Sequence, residues 1–376
     1  MVNKKRLIRL VRDLISIDSQ NPPGKEAEIA GFVQGYLCKI GLKVKLVEFK
    51  KGRPNVIGFL KGNAKQSLLL TPHLDTVPAG KNWRFPPFSG RIYKNRIYGL
   101  GATDCKGNLA AGLEAINSIV EENINLGYNL VFAATVDEES GSAQGLIPLL
   151  KRGILKPNAA LVLDADDFEI IVAQKGLLHF KIKIQGKRAH GAYPWLGINA
   201  ISIAVSILDE LKKIKYAFSN NKYLRPPTLN IGTIKGGDKV NVVADWCEIE
   251  IDHRFLPGMT AQDFLNEVKR ISLKFTRRFN IKVDGIQRPY QIEESHPLVK
   301  YLKQAAKNLR VNTKIRGSEG ATVITFFQEQ KIPAIATGFG CEGRAHTINE
   351  YAKINNLYKG ARVLEEFLKI YQPVIN

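Results

Sequence analysis

The stretch Leu68-Leu69-Leu70-Thr71-Pro72-His73-Leu74-Asp75 places a histidine and an aspartate directly after an apolar run, a pattern typical of a buried strand that ends at a polar site. Residues i and i+2 of a strand point to the same face. His73 could therefore bind a metal ion while Asp75 accepts the proton on the other ring nitrogen and orients the imidazole. The alternative is a core histidine beside an aspartate in a turn, so the metal interpretation depends on ligands elsewhere in the chain.

The length and composition indicate a globular protein of two domains. The chain has 376 residues, more than the roughly 250–300 at which single hydrophobic cores stop growing. The net charge of +20 would attract anions, but the basic residues are spread along the chain with acidic residues between them. No zinc-finger spacing or aromatic-basic sheet motif occurs, so we predict no nucleic-acid partner.

The cysteines and the hydropathy pattern favour a protein of a reducing compartment. Four cysteines are widely separated and form no Cys-x-x-Cys pair, so neither a disulfide framework nor an all-cysteine zinc site is indicated. No window approaches the ~20 apolar residues of a membrane span. The first residues also lack the continuous apolar stretch of a signal peptide. We predict a cytoplasmic enzyme that has no membrane partner.

Strands alternate with helices over the first part of the chain. Short apolar runs at Asn55–Leu60, Ser67–Thr71, Leu130–Val136 and Ala159–Leu163 are typical of strands buried on both faces, and Gly107–Glu122 carries the apolar stripe of a helix. This alternation predicts an α/β fold with a doubly wound, mostly parallel sheet. In such sheets functional residues collect beyond the carboxyl ends of the strands.

A second pattern begins near residue 175. Leu178, Phe180, Ile182 and Ile184 alternate with polar residues, which is typical of a half-exposed strand. The elements that follow are predicted in the order β-α-β-β-α-β, which indicates a small antiparallel, ferredoxin-like sheet carrying two helices. We therefore predict one domain from residues 1–174 and 291–376, with an α+β domain of residues 175–290 inserted into it.

Acidic residues follow the other predicted strands. Asp137-Glu138-Glu139 comes after a fully apolar run, where adjacent carboxylates repel one another unless a cation or a proton is present. Two neighbouring glutamates can divide the work, one binding a metal and the other taking a proton from water. Asp164, with Asp166 nearby, ends the next strand, and His346 follows the last core strand. This donor set fits a divalent metal, zinc above all.

Asp104 stands in a glycine-rich loop, Tyr98–Gly107, just before a predicted helix. The loop lacks the Gly-x-Gly-x-x-Gly and Gly-Lys-Ser/Thr patterns, so it gives little support for nucleotide binding. Asp104 could be the N-cap of the helix. The presence of His73 makes a metal ligand the more attractive interpretation.

These motifs resemble the M20 family of co-catalytic metallohydrolases, which includes acetylornithine deacetylase, succinyl-diaminopimelate desuccinylase, aminoacylase and carboxypeptidase G2. The resemblance covers nearly the whole chain. The His-x-Asp motif of the family matches His73-Leu74-Asp75, its glycine-rich aspartate segment matches Asp104-Cys105-Lys106-Gly107, and its Glu-Glu pair matches Glu138-Glu139.

The resemblance implies a zinc-exopeptidase-like catalytic domain that holds two Zn²⁺ ions, for which Co²⁺ or Mn²⁺ can substitute. The resemblance implies that Asp104 bridges the two ions, that His73 and Asp164 complete one metal site, and that Glu139 and His346 complete the other. Glu138 would be the general base, and Asp75 would orient His73. It also implies a cis peptide at Asp104-Cys105. The deacylase branches usually have glutamate followed by proline at Asp164, so this position leaves Asp166 as a second candidate ligand.

The resemblance also implies that the inserted domain is a lid or dimerisation domain and that the protein is a homodimer. His190 would reach the active site of the partner subunit and stabilise the oxyanion. Asn241 and Arg254 match family positions that contact the substrate carboxylate, a role that suits the fork of an arginine. Ser318 and Glu319 stand in a loop that lies near the substrate in the family.

We therefore predict a two-metal amide hydrolase that removes an N-acyl group from an amino acid or a similar substrate. A metallo-exopeptidase or dipeptidase acting on short peptides is the alternative within the family, and Asp164 favours it. A binding protein without catalysis is the alternative outside the enzyme class. The intact set of His73, Asp104, Glu138, Glu139 and His346 argues against it.

Overall fold

The computed structural model describes residues 1–373 and separates the chain into two units. The first unit comprises Met1–Val172, Ile292–Arg316 and residues 326–373. The second unit comprises Ala173–Gln291 and Gly317–Thr325. Gly317–Thr325 lies outside the inserted domain that we predicted, yet it belongs to the second unit.

The bounds of the elements within residues 1–373 are as follows. The strands are β1 (Lys43–Glu48), β2 (Pro54–Leu60), β3 (Ser67–Thr71), β4 (Arg91–Tyr93), β5 (Arg96–Tyr98), β6 (Asn129–Ala134), β7 (Ala159–Val162), β8 (Glu169–Gln174), β9 (Gly176–Gln185), β10 (Thr228–Gly236), β11 (Trp246–Phe255), β12 (Phe279–Gln287), β13 (Tyr290–Gln291), β14 (Lys314–Ser318), β15 (Ala334–Thr337) and β16 (Tyr351–Lys353). The α-helices are α1 (Lys4–Ser16), α2 (Ala27–Lys39), α3 (Lys106–Glu121), α4 (Leu146–Lys151), α5 (Ala200–Lys212), α6 (Ala261–Leu273), α7 (Pro297–Asn308), α8 (Ile324–Glu329) and α9 (Ile354–Ile370).

The large sheet of the first unit has the strand order β1-β2-β6-β3-β7-β15-β8. Its four central strands, β6, β3, β7 and β15, pair in parallel, whereas β1-β2, β2-β6 and β15-β8 pair antiparallel. The sheet is therefore mixed, and its parallel part is central. The predicted α/β class is confirmed, and the four parallel strands direct their carboxyl ends to one edge.

Helix α3 packs closely against the sheet because a glycine faces it. A Cβ on Gly112 would lie 2.7 Å from Leu163 Cδ1 and 3.3 Å from the Phe132 ring, so a larger residue would force the helix away from the strands. Residues Lys106–Ile119 of this helix are all buried. Burying each of its leucine and isoleucine side chains contributes about 1.5–3 kcal/mol to stability, which fixes the loop that precedes α3.

The second unit contains a four-stranded antiparallel sheet in the order β10-β11-β9-β12, as the β-α-β-β-α-β pattern predicts. Alternate residues of β9 are buried, from Leu178 to Ile184, and pack with α5 and α6 in one core. A third, three-stranded sheet joins β4, β5 and β16. No helix in residues 1–373 has both the length and the apolar composition needed to cross a membrane.

Candidate metal centre

The parallel strands bring most of the predicted ligands to one edge of the large sheet. His73 lies two residues beyond β3, Glu138 and Glu139 follow β6, and Asp164 follows β7. The pairing of β3 with β6 continues past both strands, because His73 forms a parallel bridge with Thr135. His346 stands in the loop between β15 and β16. Loops from four neighbouring strands thus converge where functional groups of open α/β sheets are expected.

The carboxylate of Asp104 lies between two histidines. Its Oδ1 is 2.9 Å from His73 Nε2, and its Oδ2 is 3.2 Å from His346 Nε2. Burial alone would raise the pKa of Asp104, but hydrogen bonds with His346 and His73 hold it well below its usual value. The peptide Asp104-Cys105 is cis, as the family resemblance implies. One carboxylate that faces two imidazoles has the geometry of a bridging ligand.

Asp104 forms one group of donor atoms with His73 and Cys105, and two further groups lie around its carboxylate. In one group, His73, Glu138 and Asp164 place their donor atoms within 4.8 Å of one another. In the other, Asp104, Glu139 and His346 do the same, and Glu139 Oε2 is 3.0 Å from His346 Nε2. Asp164, and not the alternative Asp166, belongs to these groups. Imidazole nitrogens with carboxylate oxygens are the donors of hydrolytic zinc sites.

The electrostatics of the centre also fit bound cations. Burial and the charge of Asp104 raise the pKa of Asp164 to about 7. Burial, together with the charges of Asp164 and Asp104, raises the pKa of Glu138 to about 8. Carboxylates this close repel one another, and divalent cations between them would remove that repulsion. The residues present therefore fit two metal ions.

Asp75 is fully buried behind His73 and the two glutamates. His73 Nδ1 lies 3.0 Å from the Asp75 carbonyl oxygen but 3.5 Å from carboxylate Oδ1, so the carbonyl is the nearer acceptor for the ring proton. The carboxylate instead accepts the backbone N–H groups of Glu138 and Glu139, each at 3.1 Å. Burial would raise the pKa of Asp75, but contact with His73 and a hydrogen bond from Asn21 keep it lowered. Asp75 thus orients both neighbouring loops.

A buried polar network that the sequence did not reveal supports this arrangement. Asn21 donates its side-chain amide to Asp75 Oδ2 at 2.9 Å and to Asp137 Oδ1 at 3.3 Å. Arg53 Nη1 lies 2.9 Å from Asp137 Oδ1, and its Nε lies 2.9 Å from Glu26 Oε2. Asp137 adopts φ +67°, a left-handed conformation directly before the glutamate pair. In the sequence, Asn21 stands out only as part of an Asn-Pro-Pro-Gly turn.

Cys105 contacts the backbone of His73 through its thiol. Its Sγ lies 3.2 Å from the His73 nitrogen and 3.3 Å from the His73 oxygen. Burial raises the pKa of Cys105 to about 12, so the group is a thiol at neutral pH. These two contacts hold the histidine loop against the start of α3.

The second unit holds the predicted residues His190, Asn241 and Arg254. His190 Nδ1 accepts the N–H of Ala192 at 3.0 Å, so the neutral ring carries its proton on Nε2 and can donate from there. Gly191 N–H donates to the Asn241 carbonyl at 2.8 Å, which joins the two loops. Arg254 pairs with Asp252 through two nitrogens, at 2.8 and 3.0 Å.

Ser318 and Glu319 are engaged within the second unit. Ser318 donates its hydroxyl to the Gly320 carbonyl at 3.0 Å. Glu319 Oε2 lies 2.6 Å from the Nζ of the buried Lys175, and its Oε1 accepts the N–H of Arg225 at 2.9 Å. These contacts shape the loop, and the predicted role of both residues at the substrate stays a prediction.

Comparison with known proteins agrees with this geometry. Residues 69–370 match Peptidase family M20/M25/M40. The chain is 28% identical to a succinyl-diaminopimelate desuccinylase of Orientia tsutsugamushi, over 99% of this chain and 97% of the relative, and 28% identical to an acetylornithine deacetylase of Vibrio atlanticus, over 95% of each. A tripeptidase structure from Staphylococcus aureus superposes with a TM-score of 0.81 at 27% identity, covering 98% of this chain and 99% of that one. The chain therefore belongs to peptidase family M20/M25/M40 and is a hydrolase.

Proposed function

We propose that this amide hydrolase removes the acyl group from an N-acyl amino acid, or from a substrate of similar chemistry, with two zinc ions. The observation that carries the proposal is the Asp104 carboxylate, whose two oxygens face His73 and His346 with a separate carboxylate beside each imidazole. The names of the two relatives, a desuccinylase and a deacetylase, support acylated amino acids as the substrate class. Co²⁺ or Mn²⁺ would suit the same donors.

The proposed mechanism uses Glu138 to carry a proton. Two divalent ions held by the ligand set would supply Lewis acidity to the amide carbonyl and lower the pKa of water. Glu138 accepts a proton from the attacking water and returns it to the leaving nitrogen as the C–N bond breaks. Its carboxylate belongs to the same group of donor atoms as His73 and Asp164, which places it beside the water that the ions would activate. Asp75 holds the Glu138 backbone through the hydrogen bond described above.

His190, Asn241 and Arg254 are the proposed contacts to substrate. His190 donates from Nε2 to the oxyanion, which matches the tautomer fixed by its contact with Ala192. Asn241 and Arg254 bind the free carboxylate of the amino acid. Arg254 would exchange its two-nitrogen contact with Asp252 for the same contact with the substrate carboxylate.

The alternative substrate is a short peptide. The likeness to a tripeptidase at 27% identity and the aspartate at position 164 favour it. N-acetyl-, N-succinyl- and N-formyl-amino acids should be compared with dipeptides and tripeptides, each with added zinc, cobalt or manganese. Hydrolysis of acylated substrates supports deacylation. Exclusive hydrolysis of peptides with a free amino group would assign the protein to the peptidase branch.

We also propose that the protein is a homodimer formed through the second unit. Strand β10 is an edge of the four-stranded sheet, and it exposes Ile234. Helix α5 exposes Ile201 and Val205. An edge strand beside exposed apolar side chains suits pairing with an identical copy. Light scattering should give the mass of a dimer, and Val205→Glu should shift it toward the monomer.

Two inactive variants test the proposed roles together. Glu138→Gln should lower turnover by about 10²–10⁴-fold, the usual worth of general acid–base catalysis, while zinc content stays unchanged. Loss of zinc from this variant, or survival of its activity, contradicts the assignment.

If His190 acts on the partner subunit, mixing Glu138→Gln protein with His190→Ala protein should restore part of the activity. No restoration after subunit exchange indicates that His190 does not act across subunits.

A further inference from the structure

Glu350 lies behind the bridging ligand and accepts several backbone hydrogen bonds from its loop. The side chain is 1% exposed. Its Oε1 accepts the N–H groups of Thr103 at 2.7 Å and Asp104 at 3.0 Å, and its Oε2 accepts the N–H of Gly101 at 2.9 Å. The Glu350 carbonyl oxygen also accepts the N–H of Gly99 at 3.0 Å. One residue thus binds four backbone amides of the segment that ends at Asp104.

These contacts connect the two segments that carry Asp104 and His346. Glu350 stands four residues after His346, while its partners run from Gly99 to Asp104. Gly101 adopts φ +81°, and a Cβ there would lie 2.9 Å from the Thr76 and Lys106 side chains. The loop is therefore shaped by backbone contacts around a carboxylate. A shift of Glu350 would move the bridging ligand relative to the second histidine.

The chemistry of the contact requires a carboxylate rather than an amide. Three N–H donors converge on two oxygens, and every one of them needs an acceptor. A glutamine could keep the Thr103 and Asp104 bonds with its single oxygen, but its NH₂ group would then face the N–H of Gly101. That donor would lose its partner in a buried position, which disfavours the loop conformation that presents Asp104.

We propose that Glu350 is a positioning residue of the metal centre, which fixes the backbone of Asp104 against the segment of His346 so that one carboxylate serves both metal ions. This inference rests on the proposed two-metal function. Glu350 belongs to neither group of candidate ligands in the described part of the chain. It acts through Asp104, as partners outside the ligand shell do at other metal sites.

The test compares Glu350→Gln and Glu350→Asp with Glu114→Gln. Glu114 is a matched control because it is also fully buried and accepts hydrogen bonds, from the Asn3 N–H and Arg6 Nε, both at 2.6 Å, but belongs to neither ligand group. Zinc affinity is measured by competition with a chelating dye, and stability by thermal unfolding of metal-free protein. Turnover is then measured as kcat and KM at limiting and saturating zinc.

We expect Glu350→Gln to weaken zinc binding by about 10–100-fold, with an intermediate loss for Glu350→Asp, which keeps the carboxylate on a shorter side chain. Excess zinc should restore most of kcat, and KM should stay unchanged. Glu114→Gln should lower the unfolding temperature but keep wild-type zinc affinity. Wild-type affinity in both Glu350 variants, or an equal loss in Glu114→Gln, overturns the inference. Absence of zinc binding by the wild-type protein overturns the proposed function instead.

Discussion

His73 Nε2 lies 2.9 Å from Asp104 Oδ1, although the two residues are 31 positions apart in the chain. The contact joins the end of a parallel strand to the loop before α3. Because the second oxygen of the same carboxylate faces His346, Asp104 contacts one histidine from each group of donor atoms. It is the one predicted ligand whose loss should affect both metal ions.

We expect Asp104→Asn to lose both zinc ions, because an amide offers a single neutral oxygen in place of two charged ones. Its zinc affinity should fall by more than the roughly 10–100-fold that follows loss of a partner outside the ligand shell. Asp164→Asn is the control, since Asp164 belongs to the His73 group and should affect one ion. Metal analysis after dialysis checks the stoichiometry. Retention of two ions by Asp104→Asn contradicts a bridging role.

The centre of the fold could be predicted from sequence because its strands are continuous apolar runs. The runs at β3, β6 and β7 are buried on both faces, and this leaves a local signal. The sequence patterns did not predict strands β1 and β4 or helix α4, for physical reasons. All residues of β1 and β4 are at least partly exposed, and α4 has only six residues.

The candidate ligands could be predicted because each has metal-binding chemistry and most directly follow a strand. The contacts that support them could not, because they arise between distant segments. Asn21 meets Asp75 across 54 positions, and Glu350 meets Asp104 across 246. We expected the Asp75 carboxylate to accept the proton of the His73 ring, and the structure differs from this expectation. That carboxylate is occupied by the Glu138 and Glu139 amides, and the Asp75 carbonyl is nearer to the ring.

Asn21→Ala should impair the centre, because Asp75 and Asp137 would lose the amide that lies between them. We expect a loss of about 1–3 kcal/mol in stability and of about 10–100-fold in activity. Asn129→Ala is the control, since Asn129 also makes side-chain hydrogen bonds but stands at the opposite end of β6. Urea unfolding and turnover measure the two effects. Equal loss of activity in both variants would show that Asn21 has no specific role.

Arg53→Met should destabilise the first unit strongly. Arg53 is 5% exposed and its guanidinium pairs with both Glu26 and Asp137, so its removal leaves two carboxylates buried without their cation. Breaking a buried pair in this way costs about 3–5 kcal/mol. The double variant Arg53→Met, Glu26→Gln should recover part of the loss, because one of the charges is removed. Chemical unfolding measures each free energy, and a double variant no more stable than the single one contradicts the explanation.

His253 should make the stability of the second unit depend on pH. The ring is fully buried, its centroid lies 3.8 Å from that of Phe264, and its Nδ1 lies 3.0 Å from the Thr228 carbonyl oxygen. Burial lowers the pKa of His253 from its ordinary 6.5 to about 4. Between these values the unfolded chain binds the proton and the folded chain does not. The contribution of the neutral His253 ring to the free energy of unfolding is therefore fully present above pH 6.5. It is lost as the pH falls toward 4, and the total loss is about 3 kcal/mol.

His253→Phe should remove this part of the pH dependence, because phenylalanine keeps the stacked ring and cannot bind a proton. His179→Phe serves as the control, since His179 lies in the same sheet but its side chain is 48% exposed. Urea unfolding of the three proteins at pH 7, 5.5 and 4.5 gives the free energies. As the pH falls, the free energy of unfolding should decrease more for wild type than for His253→Phe. A constant difference across this range would show that the buried ring titrates at its ordinary pKa in the folded protein.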